Sequence, residues 1–126
     1  MRVVQAAVLA AMLSLTAASG AWAAGDAAKG GTFFKGRCAV CHTTESGGPN
    51  KIGPNLFGVF GRRAASAPNY NYSGAMKNAG IVWTADKLAA YLKNPRLVVP
   101  GTKMTYAGIV RDDDNANTIA YLATLK

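Results

Sequence analysis

Cys38-Ala39-Val40-Cys41-His42 holds both cysteines and the single histidine of this 126-residue chain. Cys-x-x-Cys-His is the spacing for covalent attachment of a c-type haem. Two thiols three positions apart lie on one side of a helical turn, where they can add to the two vinyl groups of one porphyrin. The next residue then presents an imidazole to the iron. The stretch therefore predicts one covalently bound haem, with His42 as an iron ligand.

Other uses of these three side chains fit the sequence less well. A structural zinc site needs four ligands, and the chain has only two cysteines and one histidine. A thioredoxin-like redox motif needs a preceding strand and a βαβ pattern, and the sequence predicts neither. A structural disulfide is a poor explanation, because a bridge that closes so small a loop restrains the unfolded chain little.

The N-terminal 23 residues are predicted to be a signal peptide, followed by one domain over residues 24–126. Arg2 precedes an apolar segment, and Ala21-Trp22-Ala23 is a small-residue cleavage motif. We therefore expect cleavage near Ala23 and a periplasmic protein. The alternative is a membrane anchor formed by the uncleaved segment, although its apolar run is short for a membrane span.

The second iron ligand must be sought among the methionines, because His42 is the only histidine. Beyond the predicted signal peptide these are Met76 and Met104, and methionine is a known axial partner of histidine. Met104 ends the stretch Pro100-Gly101-Thr102-Lys103-Met104, a helix-free loop that can hold one side chain at a fixed point. Met76 lies in a predicted short helix, where packing explains it. We predict Met104 as the ligand.

Helical patterns are separated by long loops. Asp26 and Thr84 are good N-caps, Asn94-Pro95 ends a helix, and no alternating run supports a sheet. The long stretch 43–72 is rich in Gly, Pro, Asn and Ser, and such a loop is unusual in a compact domain unless it wraps a large ligand. The predicted helices cover residues 26–38, 73–78, 84–93 and a last one that opens at Asp112, with a further loop over residues 96–111.

A glycine pair conflicts with the first predicted helix. Gly30 and Gly31 each disfavour a helix by about 1 kcal/mol relative to alanine. A glycine pair inside a helix usually marks the close approach of another backbone. We therefore expect the first helix to cross a second element near these positions.

The residues resemble a class I cytochrome c of the mitochondrial type and its bacterial, cytochrome c2-like relatives. The resemblance covers nearly all of residues 25–125 and implies an all-α cytochrome c fold, with three main helices, short ones, and long loops wrapped around one covalent haem. The matching pieces are Gly30-x-x-x-Phe34, Cys38-x-x-Cys41-His42, Gly53-Pro54-Asn55-Leu56, Gly58-x-x-Gly61-Arg62, Tyr72, Trp83, Tyr91-Leu92-x-Asn94-Pro95, Pro100-Gly101-Thr102-Lys103-Met104 and Ala120-Tyr121-Leu122.

The resemblance implies a role for each matching residue. Cys38 and Cys41 carry the thioether bonds, and His42 and Met104 are the axial ligands. The second ring N–H of His42 donates to the carbonyl of Pro54. The remaining haem contacts comprise two groups near the methionine sulfur, Tyr91 and Thr102, and three partners of a buried propionate, Arg62, Tyr72 and Trp83.

The resemblance also places one matching glycine at a helix crossing, and two positions depart from the family. Gly30 is expected to pack across the last helix near Tyr121. Met76 stands where mitochondrial proteins usually have an asparagine linked to the propionate network, so the resemblance does not specify the detail of that network at this position. Thr118 stands at a helix-crossing position that usually holds Leu, Ile or Val.

The implied function is that of a monomeric, soluble one-electron carrier and not an enzyme. An iron with both axial positions filled has no open site for a substrate. The alternative is a five-coordinate c-haem protein, either a sensor or a peroxidase-like enzyme. Ready binding of CO by the native reduced protein is the observation that separates the two.

The charge of the chain predicts acidic partners. The net charge is +8, and loss of Arg2 with the signal peptide leaves 13 cationic and 6 acidic side chains, or +7. Such an excess favours acidic protein surfaces, and no recognised nucleic-acid motif is present. By resemblance the partners are membrane electron-transfer complexes: a bc1-type donor and a terminal oxidase or reaction-centre acceptor. The candidate docking cations are Arg37, Lys51, Arg96, Lys103 and Arg111.

Overall fold

The computed structural model describes residues 25–126, and the predicted signal peptide at residues 1–23 lies outside them. Within the described part of the chain the only strand-like pairing is a single backbone bridge between Arg63 and Val82, so the predicted all-α class is confirmed. Across residues 25–126 no helix is long and apolar enough to span a bilayer. The helices are α1 (Ala27–Arg37), α2 (Gly74–Lys77), α3 (Ala85–Lys93), α4 (Pro95–Val98) and α5 (Asp112–Leu122).

Side-chain caps fix where the first three of these helices begin. Asp26 accepts a hydrogen bond from the backbone N–H of Lys29 at 3.0 Å and so starts α1. The Ser73 hydroxyl accepts from the N–H of Met76 at 3.0 Å at the start of α2. Thr84 plays the same part for α3. These caps satisfy amide groups that have no partner inside the helix, and the predicted starts are confirmed.

The predicted loop over residues 96–111 is wrong at its beginning, because α4 occupies Pro95–Val98. Asn94 ends α3 and also caps α4, since its side chain accepts from the N–H of Leu97 at 3.2 Å. Pro95 is then the first residue of α4, a position at which its missing N–H costs nothing. The same dipeptide that stops one helix therefore starts the next.

The crossing of α1 and α5 explains the glycine pair. A Cβ atom added to Gly30 would lie 1.9 Å from the carbonyl oxygen of Asn117 on α5. One turn further on, the rings of Phe34 and Tyr121 pack with centroids 5.3 Å apart. Thr118 lies fully buried in this interface, and its hydroxyl donates to the carbonyl of Asp114 at 2.7 Å. The buried hydroxyl is therefore satisfied inside its own helix.

The long loops are pinned to distant elements by backbone hydrogen bonds. Gly61 donates to the carbonyl of Trp83 at 2.8 Å, and Trp83 donates back to Arg62 at 2.9 Å. Ile109 donates to the carbonyl of Leu92 in α3 at 2.7 Å. The loops consequently form the walls of a cleft whose floor is the apolar core, which comprises Phe34, Val59, Trp83, Leu88, Tyr91, Leu92, Val99, Ile109, Ile119 and Leu122 among others.

Candidate haem-binding site

The two cysteines and the histidine lie on the turn that follows α1. Cys38 is the C-cap of α1, and its carbonyl accepts from the N–H groups of Cys41 and His42, each at 3.0 Å. All three residues line one cavity of about 330 Å³. The predicted clustering of the two thiols and the imidazole is therefore present in the fold.

The electrostatics of Cys38 do not suit a redox-active thiol. Burial, followed by the nearby Cys41, raises the pKa of its thiol to about 11. Catalytic C-x-x-C motifs instead lower the pKa of the attacking cysteine, because the thiolate is the nucleophile. This surrounding is apolar, as expected for a thiol that faces a large apolar group.

The His42 ring is held in one orientation. Its Nδ1 donates to the carbonyl of Pro54 at 2.7 Å, which fixes the tautomer and leaves Nε2 free to act as a ligand. Burial lowers the pKa of His42, and the Pro54 carbonyl opposes that shift. A Cβ atom on Gly53 would lie 2.4 Å from Cε1 of the ring. The neutral imidazole is therefore held by the Pro54 carbonyl on one side and by the close approach of Gly53 on another. This role of Gly53 was not predicted from the sequence.

A second, inner cavity of about 90 Å³ adjoins the first. Because several residues line both cavities, the two are parts of one slot. Its walls are largely apolar and aromatic, and His42 and Met104 both contribute to them. The residues common to both cavities are Cys38, His42, Tyr72, Met76, Tyr91 and Met104.

A small hydrogen-bond network positions the segment that carries Met104. The hydroxyls of Tyr91 and Thr102 lie 2.7 Å apart in a hydrogen bond. The N–H of Met104 donates to the same Thr102 hydroxyl at 3.3 Å. Burial raises the pKa of Tyr91 while the bond to Thr102 opposes that shift, so this phenol stays neutral near pH 7. The structure therefore brings the three residues together as predicted.

An arginine that lines the inner cavity has one buried donor without a partner in the described part of the chain. Arg62 donates from Nη1 to the carbonyl of Phe57 at 2.8 Å and from Nη2 to that of Asn55 at 3.2 Å. Its Nε is buried without a hydrogen-bond partner among the described residues. A buried donor in this state is expensive, and a carboxylate at this position would satisfy it. The site therefore fits a haem whose propionate reaches into the inner cavity.

The two aromatic partners predicted for the propionate also line this cavity. Trp83 is buried. The Tyr72 hydroxyl accepts from the N–H of Ala67 at 3.0 Å, and its own proton remains available as a donor. Arg62, Tyr72 and Trp83 are thus brought to one place, as the resemblance implied.

The predicted docking cations do not all lie at the slot. Arg37 and Lys103 line the outer cavity, and Lys51 donates to the carbonyl of Ala39 inside the cysteine motif at 3.0 Å. Arg96 is exposed on α4 and is not among the residues that line the cavity. Arg111 faces Asp113 at 3.6 Å and Asp114 at 3.9 Å, so its charge is largely balanced locally.

Two exposed apolar residues at the outer cavity were not predicted as functional. Val40 is 72% exposed and Ile52 is 76% exposed, and both line the cavity. Of the six exposed large apolar residues in the described part of the chain, only these two line this cavity. The available signal for Val40 was its place between the two cysteines, on the turn that follows α1.

Comparison with known proteins shows the family of this chain. The cytochrome c family model matches residues 27–126. Cytochrome c of Theileria annulata is 53% identical over 98 residues, which cover 78% of this chain and 84% of the relative. The chain belongs to the cytochrome c family. Cytochrome c of Gibberella zeae is 49% identical over 100 residues, covering 79% of this chain and 94% of the relative. Cytochrome c of Arabidopsis thaliana is 48% identical over 98 residues, covering 78% and 88%.

Membership of this family confirms the predicted cofactor and the general function. A cytochrome c carries covalent haem c, and the family consists of electron-transfer proteins. The class I assignment and the all-α cytochrome c fold are confirmed with it.

The predicted periplasmic location is wrong. The relatives are cytochromes c of eukaryotes, proteins of the mitochondrial type and not periplasmic ones. The prediction rested only on the composition of the N-terminal segment, whereas the family match begins at residue 27. The signal peptide itself lies outside the described residues.

Proposed function

We propose that this cytochrome c carries one electron at a time on a haem attached to Cys38 and Cys41, with His42 and Met104 as the axial ligands. The observation that supports it most is the fixed His42 imidazole in the same slot as the Met104 side chain. When bound, the haem supplies a reversible one-electron iron couple. The chain supplies attachment, orientation and an apolar surrounding.

Both axial positions are taken by the protein in this proposal, so the iron has no open site. The Thr102 hydroxyl holds the N–H of Met104, and the Pro54 carbonyl holds the imidazole. A closed iron excludes small molecules that would react at the metal. The protein is therefore a carrier and not an enzyme. The neutral thioether and the burial of the site favour a positive reduction potential.

The inner end of the slot compensates the propionate charge. Nε of Arg62 provides a charged donor, and the Tyr72 hydroxyl and the Trp83 indole N–H provide neutral donors. Charge-assisted hydrogen bonds are roughly twice as strong as neutral ones. A propionate held this way stays ionised inside the protein, where an isolated buried carboxylate would be costly.

The outer end of the slot forms the docking surface, which we define by Val40 and Ile52 at its centre and Arg37, Lys51 and Lys103 around them. Apolar contact at the centre brings the haem edge close to the partner, and the cations steer the approach. We propose acidic surfaces of a bc1-type donor and of a terminal oxidase or reaction-centre acceptor as the partners. Docking of this kind is fast and readily reversed.

The test is the ligand state of the haem-loaded protein. We expect the mass of the denatured chain to include one haem, and the oxidised protein to show the near-infrared sulfur-to-iron charge-transfer band. The reduced native protein should not bind CO, whereas the same protein in denaturant should bind it and so serves as the positive control. Ready CO binding by the native protein would establish the five-coordinate alternative, a sensor or a peroxidase-like enzyme.

A further inference from the structure

The carrier function leaves one sulfur-bearing residue of the slot without a role. Met76 was predicted to be a packing residue, but it lines both the outer and the inner cavity, as Met104 does. It is only 9% exposed. The slot therefore contains two methionine side chains where one axial ligand is required.

The two methionines belong to segments that contact each other. Met76 lies in α2, whose start is fixed by the Ser73 cap on the N–H of Met76. A Cβ atom on Gly101 would lie 3.2 Å from the Cβ of Ala75. The ammonium group of Lys103 donates to the carbonyl of Asn71 just before α2. The helix that carries Met76 thus packs directly against the loop that carries Met104.

Three other polar side chains that line the slot are poor ligands for haem iron. Burial raises the pKa of Tyr91, so its phenolate is disfavoured. The Tyr72 hydroxyl is engaged by the N–H of Ala67. Lys103 is exposed, and its ammonium group is engaged by Asn71. A thioether, in contrast, needs to lose no proton to bind, and haem iron accepts methionine as an axial ligand.

The two methionines are also held differently. Met104 is half-buried in a helix-free segment, where the Thr102 hydroxyl accepts its N–H at a long 3.3 Å. Met76 is buried in a capped helix. Helix-free surface segments open locally at lower free energy than packed helices do. Opening of the loop would therefore withdraw Met104 while Met76 stays in the slot.

We propose that Met76 is a reserve axial ligand: its thioether binds the iron when the Met104 sulfur is withdrawn or lost. This inference rests on the proposed His42 and Met104 ligation. Methionine has three rotatable bonds and fills gaps readily, so its sulfur can move into the space that the Met104 side chain leaves. The exchange replaces one neutral sulfur ligand by another and involves no change of protonation or oxidation state. It keeps the iron closed to small molecules while the loop is open.

Four haem-loaded proteins test the proposal: the wild type, Met104→Ala, Met76→Leu and the double variant. The readouts are the sulfur-to-iron band of the oxidised protein, the strongly upfield-shifted ligand methyl resonance in the proton NMR spectrum of the reduced protein, and the rate of CO binding. We expect both sulfur signatures in the wild type, in Met76→Leu and in Met104→Ala. The double variant should lose them and bind CO at least tenfold faster than Met104→Ala does.

Each contrary result has a distinct meaning. If the wild type lacks the sulfur signatures, the proposed function fails. If the wild type has them but Met104→Ala lacks them, or binds CO as fast as the double variant, the reserve-ligand proposal is overturned and the carrier function stands. A ligand in Met104→Ala that appears only with alkali and disappears in Lys103→Ala would be the lysine amine, and this too overturns the proposal. Met104→Val replaces Met104→Ala if the alanine variant does not fold.

Discussion

Replacing glycines in α1 by alanine tests the helix crossing that supports the site. Three glycines of this helix face different surroundings. A Cβ on Gly36 would meet nothing within 4 Å, one on Gly31 would touch the ring edge of Tyr121 at 3.2 Å, and one on Gly30 would lie 1.9 Å from the Asn117 carbonyl oxygen. The same chemical change therefore probes open space, a movable side chain and an immovable backbone.

The expected effects differ in sign. Alanine favours a helix over glycine by about 0.5–1 kcal/mol, so Gly36→Ala should stabilise the protein by about that amount. At Gly31 the gain and a small shift of Tyr121 should nearly cancel. At Gly30 the carbonyl would have to retreat by about 1.5 Å, from 1.9 Å to an ordinary contact distance of 3.4 Å. Overpacking of this kind costs up to about 3 kcal/mol, which leaves Gly30→Ala about 2 kcal/mol less stable than the wild type.

The assay is guanidinium unfolding of the haem-loaded proteins, followed by far-ultraviolet circular dichroism. A net loss of about 2 kcal/mol should also lower the melting temperature by roughly 8–16 °C in a domain of about 100 residues. The order of stability should be Gly36→Ala, then Gly31→Ala, then Gly30→Ala. A Gly30→Ala protein as stable as the wild type would refute the close crossing of α1 and α5.

Three further predictions concern strain, pH and docking. Ala65→Gly should stabilise the protein by up to about 1 kcal/mol, because Ala65 has a φ of 60°, a conformation that disfavours residues with a Cβ. Asn69→Gly is the control, since asparagine tolerates its φ of 61°. Equal gains in the free energy of chemical unfolding would contradict the strain argument. The raised pKa of Tyr91 contributes stability that is complete below pH 10 and is lost as pH rises through the folded-state value. The free energy of unfolding should therefore fall less steeply above pH 10 in Tyr91→Phe than in the wild type. Identical slopes of unfolding free energy against pH would exclude Tyr91 as the source. Ile52→Ser should slow oxidation of the reduced protein by membranes that contain the terminal oxidase about threefold or more. Leu97→Ser is the control, because Leu97 is 75% exposed but does not line the cavity, and its rate should not change. Equal rates for the two variants would remove Ile52 from the docking surface.

The helix boundaries could be predicted because their signals are local. Asp26 and Thr84 each cap a helix within three residues, so a short window of sequence contains both partners. The start of α4 was missed although its signal was equally local, because Asn94-Pro95 was interpreted only as a stop. The course of the loops was not predictable in this way. Gly61 hydrogen-bonds to Trp83, far along the chain, and no local pattern specifies such a partner.

The candidate site divides in the same manner. His42 and Met104 followed from the chemistry of haem ligands and the scarcity of histidine and methionine in the chain. The carbonyl partner of His42 and the proposed propionate partners came only from the resemblance, because their contacts join distant segments. The balanced charge of Arg111 could have been predicted, since Asp114 lies three residues away on the same helical turn and such pairs interact.

The side chains of the two proposed iron ligands are positioned by different sets of contacts. His42 follows a helix that packs along α5, and its ring is fixed by the Pro54 carbonyl at 2.7 Å and by the close approach of Gly53. Met104 depends on the hydroxyl of Thr102, which depends in turn on Tyr91. Because the segment around Met104 is helix-free and half-buried, local opening should reach this side of the slot first. The buried thioether of Met76, in the helix α2 that packs against this loop, therefore lies close to the ligand that we expect to be lost first.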